Sequence, residues 1–178
     1  TDMALTNYTS LCTAIADWLN RSDLTSQVPD FIVLFEAEFN RRIRVRDMLT
    51  RNTSFTISSQ YTSLPSDFRQ VKALKLTSVS PEAPLELVSA KAYEERCARN
   101  ASVNNQPEQA AVLGSELGVV PPPNTTYTAE LLYYASLPAL ASNSTNWLLT
   151  KHPGAYLYGA LMQSAPYLKD DEIGRAHV

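Results

Sequence analysis

An α+β fold is predicted for this 178-residue chain by three features of its hydrophobic pattern. Apolar residues recur at helical spacing from Tyr8 to Met48, alternate as in strands from Thr53 to Ala135, and return to helical spacing from Trp147 onward. Helices and strands are thus segregated along the chain. The expected order is an N-terminal antiparallel helical hairpin, a small antiparallel sheet carrying one short helix, and a C-terminal helix. We read residues 1–178 as a single domain, with a hairpin over 3–48, a β-rich part over 49–140 containing a helix at 90–99, and a helical part over 147–171.

In the first helix Tyr8, Leu11, Cys12, Ile15, Trp18 and Leu19 fall on one stripe, with Thr9, Thr13, Asp17 and Asn20 facing away. Thr6 or Asn7 supplies the N-cap acceptor. In the second helix Pro29 suits the first turn, where its missing N–H costs nothing, and Asp30 suits the positive end of the dipole. Phe31, Leu34, Phe35, Phe39 and Ile43 form the matching stripe. The connection Arg21-Ser22-Asp23-Leu24-Thr25 is short, so the two helices are expected to pack antiparallel and to bury Trp18 and Leu19 near Phe31 and Phe35.

The strand expectations are Thr53–Ile57, Val71–Leu76, Leu85–Val88, Ala110–Leu113 and Thr126–Ala135. Between the first two, Pro65 holds Leu64 extended, Ser66-Asp67 supplies turn chemistry, and Phe68 tucks into the core. Ser89 caps a helix from Ala90 to about Ala98, and Asn100 to Gln109 reads as a polar loop. Gly114, Gly118 and Pro121-Pro122-Pro123 read as a separator between the last two strands. Tyr127, Ala129, Leu131 and Tyr133 alternate with Thr128, Glu130, Leu132 and Tyr134, which predicts a strand covered on both faces at its C-terminal end. His152-Pro153-Gly154 interrupts the last helical stretch, and Pro153 fits the first turn of a helix over Gly154–Ala165.

With 44% hydrophobic and 19% charged residues, the chain can bury one substantial core. Its low charge fits a polar uncharged surface covered by neighbouring copies. A net charge of -3 argues against holding nucleic acid through the overall field. No apolar run approaches the roughly 20 residues that cross a bilayer, and no secretory leader precedes the first helix, so a cytosolic protein is expected. Cys12 and Cys97 read as reduced packing residues, and the Asn-X-Ser/Thr triplets at Asn7, Asn52, Asn100, Asn124 and Asn143 as composition.

The terminal Ile173-Gly174-Arg175-Ala176-His177-Val178 back-translates without strain to ATC GGA AGA GCA CAC GTC, which looks like a sequencing-adapter read-through. The native chain is expected to diverge near Asp171 or Glu172, and Thr1-Asp2 before Met3 has the same reading.

No catalytic constellation is legible. Setting His177 aside leaves His152, which reads as a helix-start residue, and neither Cys12 nor Cys97 sits in a nucleophile context. No clustered His/Cys/Asp set suggests a metal, and Gly114 and Gly118 do not form a phosphate-cradling loop. No cofactor and no enzymatic activity are expected. The candidate site is the basic run Arg41, Arg42, Arg44 and Arg46, which suits bidentate contact with acidic groups of a partner. The same run is also what a solvated helix end favours, and a DNA-facing role is a weaker reading. A helix-turn-helix reader is disfavoured because the apolar second helix leaves few residues for base edges.

Several segments, in order, carry a resemblance: Tyr8 to Met48, the Tyr61 to Phe68 turn, Leu74 to Leu76, Tyr127 to Leu137-Pro138, and Trp147-Leu148-Leu149 followed by His152-Pro153 and Tyr156-Leu157-Tyr158-Gly159. Together they resemble the head-to-tail adaptor proteins of tailed bacteriophages. The resemblance implies a structural virion protein, assembled in the host cytoplasm, that forms a homo-oligomeric ring, typically a dodecamer. It implies contact with the portal protein and with a tail or neck protein, with DNA only as passing genome and no membrane. The sequence departs from the family by lacking a further C-terminal helix and a tail reaching into the portal. A neck or stopper ring protein and a carbohydrate-binding β module of a phage tail are the alternatives.

Overall fold

The computed structural model describes residues 5–99 and 103–175. The readings attached to Thr1-Asp2, Met3, His177 and the start of the Asn100–Gln109 loop lie outside these residues. The chain divides into two compact units, one from residues 1–44 and 137–178, the other from residues 45–136.

The first unit is helical. Helix α1 spans Tyr8–Leu19 and starts with a capping box: the Asn7 side chain accepts from the Ser10 N–H, and the Ser10 hydroxyl oxygen accepts from the Asn7 N–H. It ends at Asn20, whose φ of 49° is a left-handed cap that Asn tolerates. Helix α2 spans Val28–Arg42, with Pro29 in its first turn, and stops where Ile43 turns extended. Helix α4 spans Trp147–Lys151 and α5 spans Pro153–Arg175; α3, Ala90–Arg99, belongs to the other unit. Asn146 caps α4 by accepting from the Leu149 N–H at 3.0 Å, and His152 closes it by donating its N–H to the Leu148 carbonyl.

The two N-terminal helices do share a core, but not by facing each other alone. Leu11, Ala14 and Ile15 of α1, Val28, Phe31 and Ile32 of α2, and Tyr156, Leu157 and Ala160 of α5 form one buried cluster with Leu148 and Leu149. The principal partner of α2 is α5. The hairpin expectation is therefore corrected at three positions: Trp18 is 55% exposed, Leu34 47% and Ile43 37%. The physical reason is the third helix. Gly159 removes the side chain that would separate α5 from α2, so the Phe35 ring lies against the α5 backbone, and α2 turns Val28, Phe31, Ile32 and Glu36 inward. Trp18 instead meets Tyr158 edge-on at 5.9 Å on the surface.

The second unit is β-rich. Strands β1 (Leu49–Ile57), β3 (Phe68–Leu76), β4 (Ala83–Pro84) and β8 (Tyr127–Ala135) form an antiparallel sheet in the order β1-β8-β3-β4. Strands β2 (Tyr61–Ser63), β5 (Glu86–Leu87), β6 (Gln109–Leu113) and β7 (Glu116–Val120) form a second, in the order β2-β7-β6-β5, whose β5–β6 pair is parallel. Helix α3, Ala90–Arg99, crosses between β5 and β6, as a parallel pair requires. The expectation of one small antiparallel sheet is corrected to two sheets of four strands. Their inner faces bury one core of Phe55, Ile57, Leu74, Leu76, Leu117, Val119 and Leu131.

Strand β7 was hidden in sequence because Gly114 and Gly118 read as breakers. Gly114 does turn the chain, with φ of 65° at the start of a two-residue turn. Gly118 sits inside the strand for a packing reason: a Cβ there would lie 2.7 Å from Cζ of the buried Tyr93 of α3. Along β8, Tyr127, Ala129, Leu131 and Tyr133 are buried while Glu130, Leu132 and Tyr134 are half-buried. Phe68 stacks on Tyr133 at 5.6 Å, and the Tyr133 hydroxyl donates to Asp67 Oδ1 at 3.0 Å.

Candidate partner-binding surface

Arg41 and Arg42 occupy the last turn of α2, where lysine and arginine are favoured by the negative pole of the helix, and Arg44 follows just beyond it. They have different local tasks. Arg41 and Arg42 both reach one carboxylate, that of Glu38, at three- and four-residue spacing; the Arg41 contact is 2.5 Å. Hydrogen bonding from Arg41 holds the Glu38 carboxyl below its ordinary range. Two guanidinium groups on one carboxylate leave a surplus cation, and the Arg41 and Arg42 side chains stay 67% and 68% accessible. Arg44 turns back and donates to the carbonyls of Asn40 and Ile43 at 2.8 and 2.6 Å, closing the helix end. Arg46 belongs to the β-rich unit, exposed in the 3-10 turn Arg46–Met48, with no ion pair among the described residues. The helix-end reading accounts for Arg44; Arg41 and Arg42 keep donors available for a partner.

A buried polar network, not legible as a site in sequence, fixes the segment that returns to this helical unit. Glu36 is 5% exposed, and its Oε1 accepts from the Leu140 N–H at 2.9 Å and from the Tyr156 hydroxyl at 2.9 Å. Asn146 Nδ2 donates to the Tyr156 hydroxyl at 2.5 Å and to the Pro138 carbonyl at 2.8 Å. One turn further along α2, Asn40 Oδ1 accepts from the Leu137 N–H at 2.8 Å. Burial pushes the Glu36 carboxyl and the Tyr156 hydroxyl up from their ordinary values. The signal available in sequence was the position of Glu36, four residues after Ile32 and flanked by Phe35 and Phe39, on the inward side of an amphipathic helix.

Cys12 packs beside Tyr8, with its thiol pushed up by burial, which makes a poor nucleophile. His152 is exposed at the end of α4. No group of His, Cys, Asp and Glu is placed to hold a metal among the described residues. The concavity at the end of α1, lined by Ala16, Asp17, Asn20, Arg21, Ser22 and Thr25, is open and contains no histidine or cysteine. No described helix is long and apolar enough to cross a membrane. The aromatic platform a carbohydrate-binding module needs is also missing at the expected tyrosines, since Tyr133 is buried and Tyr134 half-buried.

What the helical unit does present is apolar surface. Trp18, Val33, Leu34, Tyr158 and Met162 are exposed, as are Arg41 and Arg42. An α+β chain with exposed apolar and cationic side chains on its helical unit suits a structural class of protein. Within it the assignment is specific: the family described as SU10 adaptor protein matches residues 6–177, and the chain belongs to that family. This agrees with the resemblance to phage head-to-tail adaptors carried by the sequence. A comparison with curated proteins finds no match.

Proposed function

We propose that the chain is a subunit of the ring that docks beneath the portal of a tailed phage and receives the tail. The observation that carries the reading is the family match, which runs from the first helix to the end of the last. The exposed apolar side chains of the helical unit suit it, because a monomer rarely leaves several large apolar residues uncovered on one unit. Function here is binding alone. A closed ring follows from head-to-tail contacts whose rotation completes a circle, with about twelve copies implied by the resemblance. Arg41, Arg42, Arg44 and Arg46 are assigned to contacts with carboxylates of the portal or of a neighbouring subunit, for which a planar donor fork is suited. Genomic DNA passes through without being read.

Native mass measurement of the full-length natural chain mixed with its portal protein tests the proposal. A cyclic assembly bound to the portal is expected. A persistent monomer without portal contact would overturn it.

A further inference from the structure

The helical unit carries two outward surfaces that complement one another. On the first, Trp18 of α1 and Tyr158 of α5 are in ring contact, and Met162, 75% exposed, lies one turn beyond Tyr158 on the same side of α5. Asp17 adjoins Trp18. It is exposed in the last turn of a helix that has no basic residue there, and it makes no ion pair among the described residues. A carboxylate at the negative end of a helix is disfavoured unless a cation from elsewhere answers it. On the second surface, Val33 and Leu34 of α2 are about half exposed. Arg41 stands seven residues after Leu34, two turns on along the same side of the helix. With Arg42 it shares only the Glu38 carboxylate.

We infer that these two surfaces are the two halves of the contact between neighbouring copies: Asp17, Trp18, Tyr158 and Met162 of one subunit meet Val33, Leu34, Arg41 and Arg42 of the next. The occupant is a second copy because one chain holds both halves. Each half is apolar with charge at its edge: on one, Asp17 lies near Arg21, whose guanidinium pairs with Asp23; on the other, Arg41 and Arg42 share one carboxylate and leave a surplus cation. Two unlike surfaces on one subunit make a head-to-tail contact, the kind that closes a ring. Burial of Trp18, with arginines at the rim of the contact, agrees with the residue types enriched in protein interfaces. The inference rests on the ring assignment above and names the surface that forms the ring.

Four variants of the full-length chain, all at exposed positions, test it: Trp18→Glu, Leu34→Glu, Asp17→Arg, and the charge exchange Asp17→Arg with Arg41→Asp. Native mass spectrometry with portal present gives the ring population, and circular dichroism verifies that each variant is folded. Trp18→Glu and Leu34→Glu should each reduce ring by roughly thirty-fold or more. Mixed together they should give a heterodimer, since each retains the surface the other lacks. The charge exchange should form rings, while Asp17→Arg alone should not. If wild type forms rings and both glutamate variants form them equally well, this inference falls and the adaptor assignment stands. If wild type itself forms no ring on the portal, the assignment fails and takes this inference with it.

Discussion

Gly159→Ala is a perturbation for which helix propensity and packing predict opposite signs. Propensity alone favours alanine over glycine inside a helix by about 1 kcal/mol. Packing opposes it, because a Cβ at position 159 would lie 2.2 Å from Cδ2, 2.3 Å from Cε2 and 2.9 Å from Cγ of Phe35. The ring has little room to retreat, with Tyr156 at 5.2 Å and Phe39 at 6.0 Å between centroids. Overpacking of this kind costs about 1–3 kcal/mol, and a clash that reaches the base of the ring belongs at the upper end. The expected net effect is a loss of about 2 kcal/mol. Urea denaturation followed by tryptophan fluorescence reports on the right unit, since Trp18 and Trp147 are the two tryptophans and both lie in the helical part. Gly154→Ala is the control: its added carbon would meet only the Tyr158 ring at 3.8 Å, so propensity should decide and stability should rise slightly. Adding Phe35→Leu to Gly159→Ala should recover part of the loss. A neutral or stabilising Gly159→Ala would refute the close α2–α5 approach on which the helical core depends.

Glu36→Gln tests the buried network. Burial raises its carboxyl in the folded state, which weakens the charged form there relative to the unfolded chain. The stability the neutral acid gives wild type relative to the glutamine variant is fully present below the unfolded carboxyl value, about 4.3, and is lost as pH rises through the higher folded value. The variant's amide oxygen can still accept from Leu140 and Tyr156, so its stability curve should be flatter over that range; an unchanged curve would contradict the assignment. Asn146→Ala removes the α4 cap and both donations from Nδ2, and should cost at least about 1 kcal/mol in the same fluorescence assay. Gly118→Ala should destabilise the β-rich unit by about 1–3 kcal/mol, read by tyrosine near-UV dichroism, because the added carbon meets the buried Tyr93.

Local signals placed most elements. Helix α3 was legible from Ser89 and the charges that follow it, and the start of α5 from Pro153. What periodicity could not supply was which helix faces which. Trp18 and Leu34 match an apolar stripe by spacing, yet the helix that fills the core arrives from residues 153 onward, and its glycine decides how α2 rolls. Strand β7 is short and glycine-bearing, and only the distant Tyr93 explains why Gly118 lies in a strand. The arginines were visible at once. Their shared Glu38 was not read, although it stands three and four residues before Arg41 and Arg42; Arg44 differs from them in turning Nη1 back to the helix-end carbonyls.

The most direct test of the adaptor assignment is a reconstruction of the neck of an intact virion into which this fold can be placed. The account predicts a closed ring of the chain seated between portal and tail, with Trp18 and Leu34 of adjacent copies buried against one another's subunits. Density for this fold elsewhere in the particle, or its absence from the particle, would contradict it.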